Sequence, residues 1–278
     1  MNIKQKLTWA FAVIAGLPIV LVATLVVVNL RGEARDDFLD NSSREIRQVS
    51  NAMNIFFQGI DQNVNYMAAQ PMVAATGSEL NKYTSANPSY TLGEQDAKVL
   101  DFFTRLADAH PAYAYLSYGV ADGGYVGWPA GQKFVNYDPR QRPWYQLAMA
   151  NPGKTIRTGA YYWAADDAVL VSTVRTVTNQ LGSPGGVVNI DVSLNGLTEI
   201  VKKIKLGDSG YLILMENNGN VMVDPRDASH NFKQLSSFGG GYAELAKAGK
   251  GLVQVEINGE RYMANIYPDE TLGWTFIG

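Results

Sequence analysis

Residues 9–28 read WAFAVIAGLPIVLVATLVVV, a run with no charge and only Thr24 as a hydroxyl side chain. A helix of about 20 such residues is the length needed to cross the hydrocarbon layer of a bilayer. The run also contains Gly16 and Pro18, which membrane helices tolerate because neighbouring groups re-satisfy the freed backbone. A cleaved leader would have an apolar region of about 7–15 residues closed by a small-x-small site. This run is longer and lacks such a site, so it reads as an uncleaved anchor. Lys4 and Lys6 precede it, whereas Arg31 is followed at once by Glu33, Asp36 and Asp37. The positive-inside rule therefore puts residues 1–8 in the cytoplasm, a transmembrane helix at 9–30 in the inner (cytoplasmic) membrane, and everything after Arg31 in the periplasm or outside the cell.

The exterior part opens with a stripe of apolar residues: Leu39, Ile46, Val49, Met53, Phe56, Ile60, Val64 and Met67. Their separations of three, four or seven mark one face of a long helix over residues 31–71, ended by Pro71. At 1.5 Å per residue it stands about 55 Å tall, long enough to carry two stacked modules. The stripe is either the face packed on those modules or a dimer seam, and a homodimer is expected. After a polar stretch at 77–90, residues 95–109 resume helical spacing through Val99, Phe102, Phe103 and Leu106.

Residues 114–120 are rich in Tyr and aliphatic side chains, stop at Asp122-Gly123-Gly124 and restart at Tyr125-Val126, the pattern of a β-hairpin. The same pattern returns 96 residues later without a gap, matching Tyr115, Leu116, Gly123 and Pro129 to Tyr211, Leu212, Gly219 and Pro225. Two related modules follow from this repeat, one at 72–200 and a shorter one at 201–278. Further strands are expected at 168–177 and 186–192 in the first. In the second they are expected at 252–257, at 261–267 after the turn Asn258-Gly259-Glu260, and at 273–278. Gly239-Gly240-Gly241 reads as a polar loop.

Composition narrows the chemistry. The net charge is -3 and the 23 Lys and Arg are scattered, so no footprint for nucleic acid appears. With no cysteine and only His110 and His230, no thiolate metal site or disulfide framework is expected. No nucleophile motif, phosphate loop or dinucleotide fingerprint is present, so no cofactor and no catalytic residue is expected. What stands out is YDPRQRPWY at 137–145, followed by Tyr161, Tyr162 and Trp163 and then Asp191. An Arg fork for a carboxylate, indole and phenol donors, aromatic walls and an acid for an N–H group are what a pocket for a small polar ligand requires. The alternative for Trp144, Tyr145 and Tyr161 is a core role with satisfied polar tips.

With these features in order, the part after the anchor resembles the double Cache ligand-binding domain of bacterial methyl-accepting chemotaxis receptors. The resemblance implies an α/β (α+β) architecture, a long N-terminal helix carrying two stacked PAS-like modules, each with an antiparallel sheet. It implies no enzymatic activity, a small-molecule ligand held in the membrane-distal module, and a cytoplasmic signalling domain beyond this fragment. Carried over by the motif, the ligand-binding residues are Tyr137, Arg142, Trp144, Tyr161 and Asp191, with Tyr145 and Trp163 beside them. Where amino-acid sensors of the family place an aspartate two residues after the later tyrosine, this chain has Trp163. That exchange removes a partner for an ammonium and adds a flat surface, so an amine or a purine-like heterocycle stands beside an amino acid as the expected ligand. Asp166 and Asp167 follow in the next loop as substitutes for the missing acid. The rival readings are the same sensor on a histidine kinase or cyclase, an organic-acid-binding chemoreceptor, and a secreted hydrolase using an acid pair among Asp166, Asp167 and Asp191.

Overall fold

The computed structural model describes residues 3–163, 166, 168–179, 182–202, 204, 206–207 and 209–278. Helix α1 (Ile3–Ala68) runs unbroken for 66 residues, with Pro18 inside it, so the anchor and the expected stalk are one helix about 100 Å long. Its first half is long and apolar enough to cross a membrane, and none of that window is buried in the protein. Its second half buries Ile46, Met53, Phe57, Ile60, Val64 and Met67 almost completely. Those residues therefore form the packing face and not a dimer seam. Phe57, and not Phe56, enters the core because the buried positions step 46, 53, 57, 60, 64, 67, which follows the 3.6-residue turn.

After α2 (Pro71–Ala74) and α3 (Glu94–Asp108) comes the first sheet. Its strands are β1 (Tyr115–Val120) and β2 (Tyr125–Trp128), then, after α4 (Pro143–Ala150), β3 (Ile156–Arg157), β4 (Tyr161–Trp163), β5 (Ala168–Thr178) and β6 (Pro184–Ser193). Helix α5 (Leu194–Lys202) leads to the second sheet: β7 (Ile213–Glu216), β8 (Val221–Val223), then, after α6 (Gly240–Lys247), β9 (Gly251–Ile257), β10 (Glu260–Asp269) and β11 (Trp274–Ile277).

Both sheets are antiparallel and share one strand order, β2-β1-β6-β5-β3 in the first, with β4 also on β5, and β8-β7-β11-β10-β9 in the second. The repeat seen in sequence is thus a repeat of topology. Gly123 and Gly219, equivalent under the 96-residue offset, turn their hairpins with φ of +94° and +89°, a conformation that costs any other residue more.

Each sheet turns one face to α1. Leu116, Val188, Ile190 and Val192 of the first and Leu214, Met222, Trp274 and Phe276 of the second join α1 in one continuous core. Phe57 meets Trp274 edge-on at 5.1 Å between ring centroids. Polar staples fix the register of helix against sheets: Ser42 and Ser43 bond Asn265, and Ser50 and Asn54 bond Asp269. Farther along, Asp61 holds Arg157 at 2.8 Å and Asn63 donates to the Tyr113 hydroxyl at 2.6 Å. The second sheet therefore sits beside the half of α1 nearest the apolar run, and the first sheet lies beyond it. Glu216 of the second sheet accepts the Ala160 N–H at 2.7 Å, tying the two sheets together next to β4.

The short helices α2, α4, α5 and α6 were not expected. Helices α4 and α6 have eight residues and α5 nine, too few turns for a hydrophobic period to stand out. The glycine run is not a loose loop. Gly239 and Gly240 adopt φ of +68° and +47° to turn into α6, and a Cβ on Gly241 would lie 2.4 Å from the Glu256 carbonyl oxygen. Only glycine lets that backbone approach.

Candidate ligand-binding site

The face of the first sheet turned away from α1 carries the residues of the candidate site. Along β6 the alternation is strict: Val188, Ile190 and Val192 face the helix, so Asn189 and Asp191 face the other way. Ser117 on β1 and Ser172 on β5 share that face, Ser172 being the register partner of Asp191. Asp191 is 4 % exposed. It accepts hydrogen bonds from the Ser172 hydroxyl, from Asn189 Nδ2 at 2.7 Å and from the Tyr161 hydroxyl at 3.3 Å. Asn189 also donates to Ser117 Oγ at 3.2 Å. Burial raises the Asp191 carboxyl to about 6, against the pull of those three donors. No cation forms an ion pair with it among the described residues.

Over this polar floor stands an aromatic cap. Tyr137 stacks on Phe134 at 4.6 Å and meets Tyr125 at 4.9 Å and Trp163 at 6.1 Å. The loop carrying it is pinned by the Tyr137 N–H to the Tyr83 carbonyl at 2.7 Å. Burial pushes its hydroxyl up to about 12, partly offset by the positive charge of Arg142, and Trp144 and Tyr125 are its hydrogen-bond partners. The same hydroxyl feels the Asp191 charge, so a cation and an anion flank it.

The two arginines of YDPRQRPWY have separate tasks. Arg140 binds Asp138 through two of its nitrogens, at 2.9 and 2.7 Å, and Asp138 also caps the short turn Pro139–Gln141. Arg142 sits one step on as the N-cap of α4, held extended before Pro143. Its guanidinium lies 4.5 Å from the Tyr137 ring centroid and 5.4 Å from that of Trp163. Its Nε is buried without a hydrogen-bond partner, and no carboxylate pairs with it among the described residues. Lys133, Phe134, Val135, Tyr137, Arg142, Tyr162 and Trp163 line a cavity of about 420 Å³.

Of the residues expected from sequence, Tyr137, Arg142 and Trp163 line this cavity, and Tyr161 and Asp191 lie in the floor network. Trp144 stands behind Tyr137, packed so closely on β1 that a Cβ on Gly119 would lie 3.0 Å from its ring. Tyr145 points elsewhere, its hydroxyl raised by burial and lying among Arg140, Asp138 and Asp122. Asp166 accepts from the Tyr115 hydroxyl at 2.5 Å, and Asp167 lies outside the described residues. Sequence reasoning passed over Ser117, Ser172, Asn189 and the cap residues Tyr125 and Phe134. The alternation in VVNIDV, with Asn and Asp two apart between aliphatic neighbours, was the available signal for the floor. Among the described residues no group of three acids or histidines could hold a metal ion.

A family model described as Cache domain, dCache_1, matches residues 29–278. The chain belongs to the dCache_1 family. Members are chemoreceptor sensor domains, which bind and do not catalyse. The methyl-accepting chemotaxis protein McpB of Bacillus subtilis is 24 % identical over 278 residues, all of this chain and 38 % of the receptor. PctB of Pseudomonas aeruginosa, another methyl-accepting chemotaxis protein, is 33 % identical over 157 residues, 56 % of this chain and 24 % of that one. This dCache_1 chain thus spans well under half the length of the receptors it matches. Among solved structures, the ligand-binding domain of the Pseudomonas fluorescens chemoreceptor CtaA in complex with L-isoleucine superposes with a TM-score of 0.67 at 21 % identity, covering 89 % of this chain and 94 % of that one. It shares the long helix with two antiparallel sheets. The apolar start of α1 anchors the dCache_1 domain in a membrane, with the sheets on its extracytoplasmic side.

Proposed function

We propose that this dCache_1 domain is the periplasmic or extracellular sensor of a chemotaxis receptor in the cytoplasmic membrane. It binds a small nitrogen-containing metabolite on the first sheet, in a module at 72–200, and signals through α1 to a cytoplasmic output domain. The reading is supported by two unmatched charges that both act on the Tyr137 hydroxyl from either side. Arg142 has a guanidinium without a carboxylate, and Asp191 is a buried carboxylate without a cation. Each lacks a partner that a zwitterion or a heterocycle with N–H donors and carbonyl acceptors supplies. Arg142 takes the ligand's carboxylate or carbonyl, and Asp191, braced by Ser172, Asn189 and Tyr161, takes its ammonium or N–H. Tyr137 and Trp163 form the wall, with Trp144 behind Tyr137 and Tyr145 packed beside it in α4.

Amino acids head the ligand classes because the CtaA complex contains L-isoleucine. Trp163 favours a second class, a purine-like ring or an alkylated amine, since its indole adds an aromatic face beside the Tyr137 and Phe134 rings. A homodimer paired through the exposed side of α1, where Ile55 is 69 % and Tyr66 52 % exposed, completes the receptor in this reading. A thermal-shift screen of the protein against amino acids, amines, purines and organic acids tests it, because a ligand of the native state raises apparent stability. At least one nitrogen compound shifts the wild type and not Arg142→Ala. Shifts by organic acids alone would contradict the proposal.

A further inference from the structure

We propose, on the footing that the first sheet binds a nitrogen-containing ligand, that this ligand is an acidic amino acid and that Lys133 selects it. Of the seven residues lining the cavity, Lys133 and Arg142 are cationic and none is acidic. Elsewhere on this sheet and the helices around it, cations are matched. Lys82, Lys98, Arg105, Arg140 and Arg157 each pair with a carboxylate at 2.6–2.8 Å. Lys133 forms no ion pair among the described residues. The acids at this end of the sheet are occupied: Asp122 holds Lys82, Asp138 holds Arg140, and Asp166 accepts from the Tyr115 hydroxyl at 2.5 Å.

The segment that carries Lys133 is fixed just after it. The Phe134 carbonyl accepts from the Tyr90 hydroxyl at 3.0 Å, the Asn136 N–H donates to the Ser85 carbonyl at 3.0 Å, and the Tyr137 N–H donates to the Tyr83 carbonyl at 2.7 Å. The Phe134 ring packs on Tyr137 at 4.6 Å and on Tyr125 at 5.2 Å. Lys133 is exposed and Arg142 half-buried, so the guanidinium meets a ligand inside the cavity and the ammonium meets it nearer solvent. With Asp191 in the floor, the complement of these three charges is one ammonium and two anionic groups. A neutral amino acid satisfies Arg142 and Asp191 and leaves Lys133 to water, whereas an acidic one satisfies all three.

The test is calorimetry on the 278-residue chain in phosphatidylcholine nanodiscs. The probes are L-glutamate, its neutral isostere L-glutamine, and glutarate, which lacks the ammonium. L-Glutamate is expected to bind the wild type about fivefold or more tightly than L-glutamine, the scale of one exposed ion pair, and the preference should shrink as NaCl is raised. Lys133→Gln removes the preference, Lys133→Arg keeps it, and glutarate binds more weakly than L-glutamate. Lys133 is exposed, so its replacement spares the core, and the contrast on the wild type needs no variant. The proposal is overturned if L-glutamine binds the wild type as tightly as L-glutamate, if neither binds, or if Lys133→Gln leaves the preference unchanged. Equal binding of the two amino acids that is lost in Arg142→Ala overturns the role of Lys133 alone. Glutarate binding more tightly than L-glutamate overturns the reading of Arg142 and Asp191 as well.

Discussion

Replacing Asp191 by Asn probes the buried floor of the first sheet. Burial raises this carboxyl from 3.8 to about 6, so the folded, ligand-free domain retains a proton that the unfolded chain gives up between those values. Stability is therefore fullest below about pH 4 and declines as pH rises through 6. A shift of about two units corresponds to about 3 kcal/mol. Asn keeps the size of the side chain and removes the charge, and the Ser172 and Tyr161 hydroxyls can reorient to accept from its amide. The variant is thus expected to gain up to about 3 kcal/mol over wild type at pH 7.5 and about nothing at pH 4, or roughly 6–10 °C in melting temperature for a domain of this size. Binding has the opposite sign. A cationic ligand needs the ionised carboxylate, so wild-type affinity falls as pH drops through 6, and calorimetry in buffers of different ionisation enthalpy detects proton release near that pH. Calorimetric melts at pH 4, 6 and 7.5 are the assay. Parallel pH profiles for wild type and Asp191→Asn would refute the reasoning.

Three further expectations follow from named contacts. Trp163→Asp restores an acid beside Tyr161 and removes an aromatic face, so it weakens a flat or alkylated ligand and tightens an α-amino acid, a crossover that competition titration reads. Phe57→Ala removes the ring lodged between α1 and Trp274 and costs about 3–5 kcal/mol, measured by urea unfolding of the intact chain. Arg140→Ala breaks a partly exposed pair with Asp138 worth about 1 kcal/mol, and ligand affinity should stay within about threefold of wild type while Arg142→Ala loses it.

Much of the fold could be read because its signals are long or chemically sharp. The apolar run, the stripe from Ile46 to Met67, the glycine hairpins at 123 and 219 and the Asn258-Gly259 turn each demand one local structure. The short helices could not be read, since α4 and α6 have too few turns to show a period. The stripe announced a buried face without saying what buries it, because a dimer seam and a module core need the same residues. In the site, Arg142 and Asp191 were visible as charges near aromatics. Arg142 was singled out over Arg140 only through the family motif, because only the folded loop pairs Arg140 with Asp138. Ser117 and Ser172 were invisible for a similar reason: a serine on a strand has no meaning until the register with Asp191 is known.

The central claim is that one ligand bridges Arg142 and Asp191. A crystal structure of the protein with the strongest hit from the nitrogen-compound screen tests it most directly. The predicted result is density between Tyr137 and Trp163, with an oxygen of the ligand on Arg142 and a nitrogen on Asp191. Ligand bound with neither residue in contact, or found only on the second sheet, would contradict the account.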